Sequence, residues 1–330
     1  MQFDQLRRRE FITLLGGTVA WPLAIHAQQP KTYRIGLLSA LAPPSDTSPF
    51  IAPLIRGLDK FGYFLGRNLV FERRGAEGKL DRLPQLAQEL VESKIDVAVV
   101  TGFPAALAVR QASGVPAVAF AAGDPVATGL VQSMARPGGN MTGVSDVPTE
   151  LTAKRLELLR DLAPNLRRVA MLWNASDLGM TLRCQASEAA AKVMGIAVQP
   201  LGVREPDDFE QAFAAMTREK PDAIFMVADS LTTLNRKRVF DFAAGNGLPA
   251  IYEFDFLVRD GGLMSYSVDL DEGMGRVAAL VDRILRGAKP ADLPLEQPTR
   301  FKFAFNLKTA KALGLSVPPT LLARADEVIE

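Results

Sequence analysis

Short apolar runs alternate with longer amphipathic stretches from residue 33 onward. The run Tyr33-Arg34-Ile35-Gly36-Leu37-Leu38-Ser39 predicts a strand, and the stretch 51–61 after it predicts a helix. The same rhythm predicts strands at 69–72, 96–100 and 117–120, with helices near 80–92 and 105–111 between them. Pro137-Gly138-Gly139-Asn140 breaks the pattern, and the stretch to Gly143 reads as a flexible crossover. A second series then begins: helix 150–162, strand 168–173, helix 178–194, strand 197–201, helix 207–217, strand 222–227, a helix from Leu231, strand 250–252 and a last run at 262–266. Helix 271–286 carries Met274, Val277, Leu280, Val281 and Ile284 on one face, as a helix packed on a sheet does. The alternation defines an α/β protein of two Rossmann-like lobes with a hinge around residues 138–145.

Open α/β sheets place ligands at the carboxyl ends of their strands, so the strand-end loops are the candidate site. In the first half these carry Ser39, then Thr101-Gly102-Phe103, then Gly123-Asp124. In the second half they carry Trp173-Asn174, Asp229 and Tyr252-Glu253. Helix N-termini after Ser39 and after Thr101-Gly102 can present amides to a carboxylate without any basic side chain. Asp229 is then the partner for an ammonium group and Asn174 a second polar contact. Phe103, Phe120, Trp173 and Tyr252 offer flat walls for an apolar or aromatic body, Phe120 being read more readily as core because it ends an apolar strand. The competing reading of the polar residues is helix capping, for which Ser, Thr, Asp and Asn are the favoured types.

Composition narrows the chemistry. The 330 residues hold 38 Lys+Arg and 37 Asp+Glu, a formal net charge of +1, which gives no reason to expect a nucleic-acid partner. Arg7-Arg8-Arg9 precede an apolar stretch at 11–25 that contains Gly16, Gly17 and Pro22. At fifteen residues it falls short of the roughly 20 a spanning helix needs, so it reads as an export signal and not a permanent anchor. Arg8-Arg9-Glu10-Phe11-Ile12 is similar to a twin-arginine signal, with an ordinary secretory signal as the alternative, and cleavage is expected near Ala27. Cleavage removes His26, which is the sole histidine, along with Trp21, three arginines and two acids, leaving a balanced charge. Without histidine, a Ser-His-Asp or Cys-His nucleophile cannot be assembled. Cys184 lies within a helical pattern beside Leu182 and reads as a small packed residue.

Cofactor and metal motifs fail on their spacing. Glu77-Gly78-Lys79-Leu80 lacks the glycines and hydroxyl of a phosphate-cradling loop, and residues 138–143 lack the dinucleotide fingerprint. Asp269, Asp271 and Glu272 are interrupted by Gly273 where a calcium loop needs another oxygen, and Asp271 reads as a helix start. No cofactor and no metal is expected.

Two segments carry a resemblance. The run Gly123-Asp124-Pro125-Val126-Ala127-Thr128-Gly129-Leu130-Val131 with 136–143, and the ending 306–315 with 318–326, resemble the ABC-transporter substrate-binding family that includes tryptophan- and tyrosine-binding proteins. The resemblance implies a type I periplasmic-binding fold, two lobes joined by three crossovers, placed near 142–147, 266–269 and within 293–305. It implies lobe 1 at 28–143 plus about 267–300 and lobe 2 at 144–266, with the lobe of the tail 301–330 left open. It further implies a monomeric periplasmic protein, not an enzyme, that captures a small molecule, an amino acid or related compound, and delivers it to an ABC permease with a separate ATPase subunit. A ligand sensor of the same fold is the near alternative. An exported enzyme using Asp124, Asp229 and Glu253 is the alternative from another class.

Overall fold

The computed structural model describes residues 31–330 apart from Ser113, Asp146 and Val147. The expected export signal and its cleavage site lie outside the described residues. The first lobe is built from β1 (Tyr33–Ser39), α1 (Ile51–Asp59), β2 (Leu69–Gly75), α2 (Leu83–Glu92), β3 (Val97–Thr101), α3 (Phe103–Gln111), β4 (Ala117–Phe120) and β5 (Met141–Val144). Its five strands run parallel in the order β2-β1-β3-β4-β5. Alternate residues serve opposite faces. Ile35, Leu37, Val97, Val99 and Val118 pack under α1, whereas Leu38, Ala98, Val100, Ala117 and Ala119 pack under α2 and α3.

The second lobe follows with α4 (Pro148–Leu162), β6 (Arg168–Asn174), α5 (Leu178–Val193), β7 (Ala197–Val203), α6 (Asp208–Arg218), β8 (Ala223–Met226), α7 (Ser230–Leu234), α8 (Arg236–Asn246), β9 (Ala250–Tyr252), α9 (Asp255–Arg259) and β10 (Met264–Val268). The chain then returns to the first lobe as α10 (Leu270–Leu285), whose Met274, Val277 and Val281 join the core beneath α1. A Cβ on Gly57 of α1 would stand 2.7 Å from the Ala278 Cβ, a close approach that glycine allows the two helices. It crosses back as β11 (Phe301–Asn306), α11 (Leu307–Ala312), α12 (Pro319–Leu322) and β12 (Glu327–Ile329). The second sheet has seven strands in the order β12-β11-β10-β9-β8-β6-β7, with β10 and β11 antiparallel.

The tail thus belongs to the second sheet. Arg259 of α9 pairs with Glu327 of β12 at 2.8 Å, and Lys302 of β11 reaches both Asp255 and Glu327, so charge as well as strand pairing fixes the last strand. Three crossovers link the lobes, and they run side by side. The first comes after β5, the second lies between β10 and α10, and the third is the stretch before β11. Glu296 of the third donates its amide to the Gly143 carbonyl and accepts from the Ser145 amide, both at 2.9 Å, and Asp269 of the second donates its amide to the Arg300 carbonyl at 3.0 Å.

Three local expectations change. Residues 141–144, read as flexible crossover, form β5, a fully buried edge strand on β4. Four residues with a glycine among them carry too little pattern to announce a strand. Gly143 is required there, since a Cβ would stand 2.1 Å from the Ala119 carbonyl oxygen. The helix expected from Leu231 breaks at Asn235 into α7 and α8. At 269–272 it is Asp269, not Asp271, that caps α10, accepting from the Asp271 amide at 2.9 Å.

Candidate functional site

The carboxyl ends of both sheets face one cleft. From the first lobe it is lined by Ser39 at the end of β1, Phe50 before α1, Thr101 and Gly102 at the end of β3, and Ala121 after β4. From the second come Asp177, Met180 and Arg183 of the α5 turn, Asp229 at the start of α7, and Phe254 and Phe256 at α9. The lobes touch. Gly179 on α5 sits so close to the first lobe that a Cβ there would lie 3.0 Å from the Phe103 Cβ and 3.5 Å from the Ala122 carbonyl oxygen. Phe50 meets Phe254 and Phe256 edge-on, with centroids 5.5 and 6.0 Å apart, and those two rings stack on each other.

Acidity dominates the polar end. Asp229 opens partly onto the cleft while capping α7. Its Oδ1 accepts the Thr232 amide and hydroxyl at 2.9 Å each, and Oδ2 accepts from the Asn174 side-chain amide. Asp229 therefore caps α7 and also lines the cleft. Asp177 caps α5 through the Met180 amide at 3.2 Å and is buried. Burial first, then the neighbouring Asp229 charge, pushes its carboxyl up to about 7, and burial likewise raises Asp229 against the hydrogen bonds from Thr232 and Asn174.

Beneath them lies a buried ion triad. Arg183 donates from Nη1 to both Glu253 carboxylate oxygens at 2.9 Å, Arg155 donates to Oε1 at 3.0 Å, and the Ala228 amide donates to Oε2 at 3.0 Å. Burial alone would raise the Glu253 carboxyl, but Arg183 and Arg155 overcome that and hold it below the ordinary carboxylate range. Arg155 also donates Nε to the Tyr266 carbonyl at 2.7 Å, which ties the triad to β10 just before the second crossover. Arg183 is the one basic side chain among the described residues that line the cleft, and its charge is committed to Glu253.

The sequence candidates separate into groups. Ser39, Thr101, Gly102 and Asp229 meet in the cleft. Asn174 stands behind Asp229 and orients it, and Glu253 stands behind Arg183. Phe103 is buried at the contact between the lobes. Asp124 is exposed and accepts the Val126 and Ala127 amides at 2.9 Å, so it shapes a turn and caps no helix. Trp173 packs on Gly202 with its ring carbons 3.0 Å from where a Cβ would be, and Tyr252 packs edge-on to Phe240 on the far side of the sheet; neither lines the cleft. Phe120 is fully buried in the first-lobe core. Cys184 is buried too, with its thiol pushed up to about 12 by burial.

Sequence reasoning placed Phe254 on a strand-end loop without giving it a role, and did not find Asp177, Arg183, Phe50 or Phe256. Asp177 comes after an Asn-Ala-Ser loop and directly precedes a helical pattern, a capping position that could have marked it. The parity of β6 places Trp173 with Val169 and Met171, on the face that packs under α5, and could have excluded it.

Two touching Rossmann-like lobes, three crossovers and a cleft between strand ends define a bilobal substrate-binding protein. The family model for ABC transporter substrate binding proteins matches residues 49–329, and the chain belongs to that family. Its function is substrate binding and not catalysis. A tyrosine-binding protein of Clostridioides difficile is 26% identical over 262 residues, covering 79% of this chain and 75% of its own. A domain from Streptococcus pneumonia solved in complex with L-Trp is 27% identical and superposes with a TM-score of 0.83, covering 91% of this chain and all of its own. A conserved domain protein of Vibrio cholerae is 26% identical with a TM-score of 0.84, covering 90% of this chain and all of its own.

Proposed function

We propose that the protein captures an amino acid or close relative, with aromatic side chains favoured, and delivers it to an ABC permease powered by a separate ATPase subunit. The observation that carries this reading is the pair of carboxylates, Asp177 and Asp229, facing a cleft whose one basic lining residue, Arg183, is paired with Glu253. Such a site attracts an ammonium group, because a cation both relieves the repulsion between the carboxylates and replaces their lost hydration. The first turn of α3, entered from Gly102, offers partial positive charge to a carboxylate on the opposite wall. Phe50, Phe254 and Phe256 supply the apolar end. The tyrosine-binding relative and the L-Trp bound to the streptococcal domain support the same ligand class.

The working protein in this reading is a periplasmic monomer released from a signal cleaved near Ala27 and exported by the twin-arginine route. No helix among the described residues is long and apolar enough to cross a membrane. The units that close are residues 32–143 with 267–300 and residues 144–266 with 301–330. Mass spectrometry of small molecules carried through native purification tests the ligand class. A primary amine released on denaturation is expected, and a sugar or an organophosphate in its place would overturn the reading.

A further inference from the structure

The cleft between the two carboxylates and the Phe50, Phe254 and Phe256 rings is narrow, with a volume of about 90 Å³. Beside it lies a second chamber of about 430 Å³, within the size range of small-molecule sites. The two spaces share Ser39, Leu41, Phe50, Thr101, Thr233 and Phe256, so they adjoin across these six residues. The chamber's further walls are apolar: Leu37 and Val99 at the strand ends, and Ala42, Pro43, Pro44 and Pro49 from the loop between β1 and α1. On the far rim Arg236 and Asp260 pair at 2.8 Å, which leaves no unmatched charge there to bind a second ionic group. Three prolines hold that loop in extended or turn conformations, so the wall is preformed and does not need ordering by the ligand.

From this we infer that the ligand is an amine-headed molecule whose apolar body reaches beyond one aromatic side chain, of the size of a dipeptide with a free amino terminus. The inference rests on the ammonium reading of Asp177 and Asp229 and adds the size and character of the body attached to the ammonium group. The electrostatics permit it. With Arg183 committed to Glu253, no basic side chain among the described lining residues demands a free carboxylate beside the ammonium, so an amide in that position loses no ion pair.

Calorimetric titration of the full mature protein with L-phenylalanine, L-leucyl-L-phenylalanine and its N-acetyl derivative tests this. The dipeptide is expected to bind at least about tenfold more tightly than the amino acid, a gain that burial of one further apolar side chain supplies, and acetylation is expected to abolish binding. Ala42→Trp, on the exposed loop that walls the chamber, is expected to collapse the preference of dipeptide over amino acid to about onefold, since the added ring takes the space the body would fill. Equal or tighter binding of L-phenylalanine by the unmodified protein overturns the chamber inference and leaves the ammonium reading standing. Binding that survives acetylation overturns the ammonium reading itself. A preference for the dipeptide that Ala42→Trp leaves intact also overturns the chamber inference, provided the variant melts at the parent temperature.

Discussion

Asp229 caps α7 and, in the proposed function, also holds the ammonium group, and substitutions can divide the two roles. Asp229→Ala removes both the α7 cap and the ammonium partner; it is expected to cost about 2–5 kcal/mol in ligand binding and roughly 1 kcal/mol in stability. Asp229→Asn keeps the capping oxygen for Thr232 but sets an amide against the Asn174 amide, so its melting temperature should fall less than that of Asp229→Ala while calorimetric affinity still falls. Asp177 adds a pH dependence. Its folded carboxyl titrates near 7 against an ordinary 3.8, so between those values the folded chain holds a proton that the unfolded chain has released. Its contribution to stability is therefore complete below about pH 4 and is lost as pH rises through 7. Relative to Asp177→Asn, the parent should lose about 2–3 kcal/mol between pH 5 and pH 8 in urea unfolding. Ligand affinity should run the other way and weaken below pH 7, because a protonated Asp177 no longer attracts an ammonium group.

At the scale of elements, α5 carries the consequences of closure. Gly179 meets Phe103 across the lobe boundary with no room for a branched side chain, so Gly179→Leu should hold the lobes apart. An affinity loss of about tenfold or more is expected with an unfolding midpoint little changed, since the wedge acts between lobes and not within a core. One turn further along α5, Arg183→Ala would leave Glu253 paired with Arg155 alone, at a cost of about 1.5–3 kcal/mol in stability for the lost charge-assisted hydrogen bonds. Urea unfolding of the variant against the parent checks this. Most of these elements were legible as strands and helices because alternation with period two and period 3.6 is a local signal. The strand-end loops of Ser39, Thr101 and Asp229 were legible as a site because strand polarity in parallel sheets is fixed by the fold class. The ion triad was not, since Glu253 meets Arg183 across 70 residues of chain and Arg155 across 98. The Phe50 contact with Phe254 and Phe256 was not either, because it exists only once two lobes meet.

For the whole molecule, the contact between lobes and the narrow cleft between them describe a closed arrangement. A ligand can favour it only through contacts made with both lobes at once, which here means carboxylates on the second lobe and strand-end loops on the first. Small-angle scattering should therefore show a smaller radius of gyration in saturating ligand than without it. The most direct measurement is a calorimetric comparison of L-tryptophan, L-tyrosine and L-phenylalanine with their N-acetyl forms at about pH 7.5, above the Asp177 titration. Saturable one-to-one binding of at least one free amino acid, lost on acetylation and weakened by Asp229→Asn, is the expected result. Equal binding of an acetylated form, or heat from none of the amines while a sugar binds, would contradict a cleft built around an ammonium group.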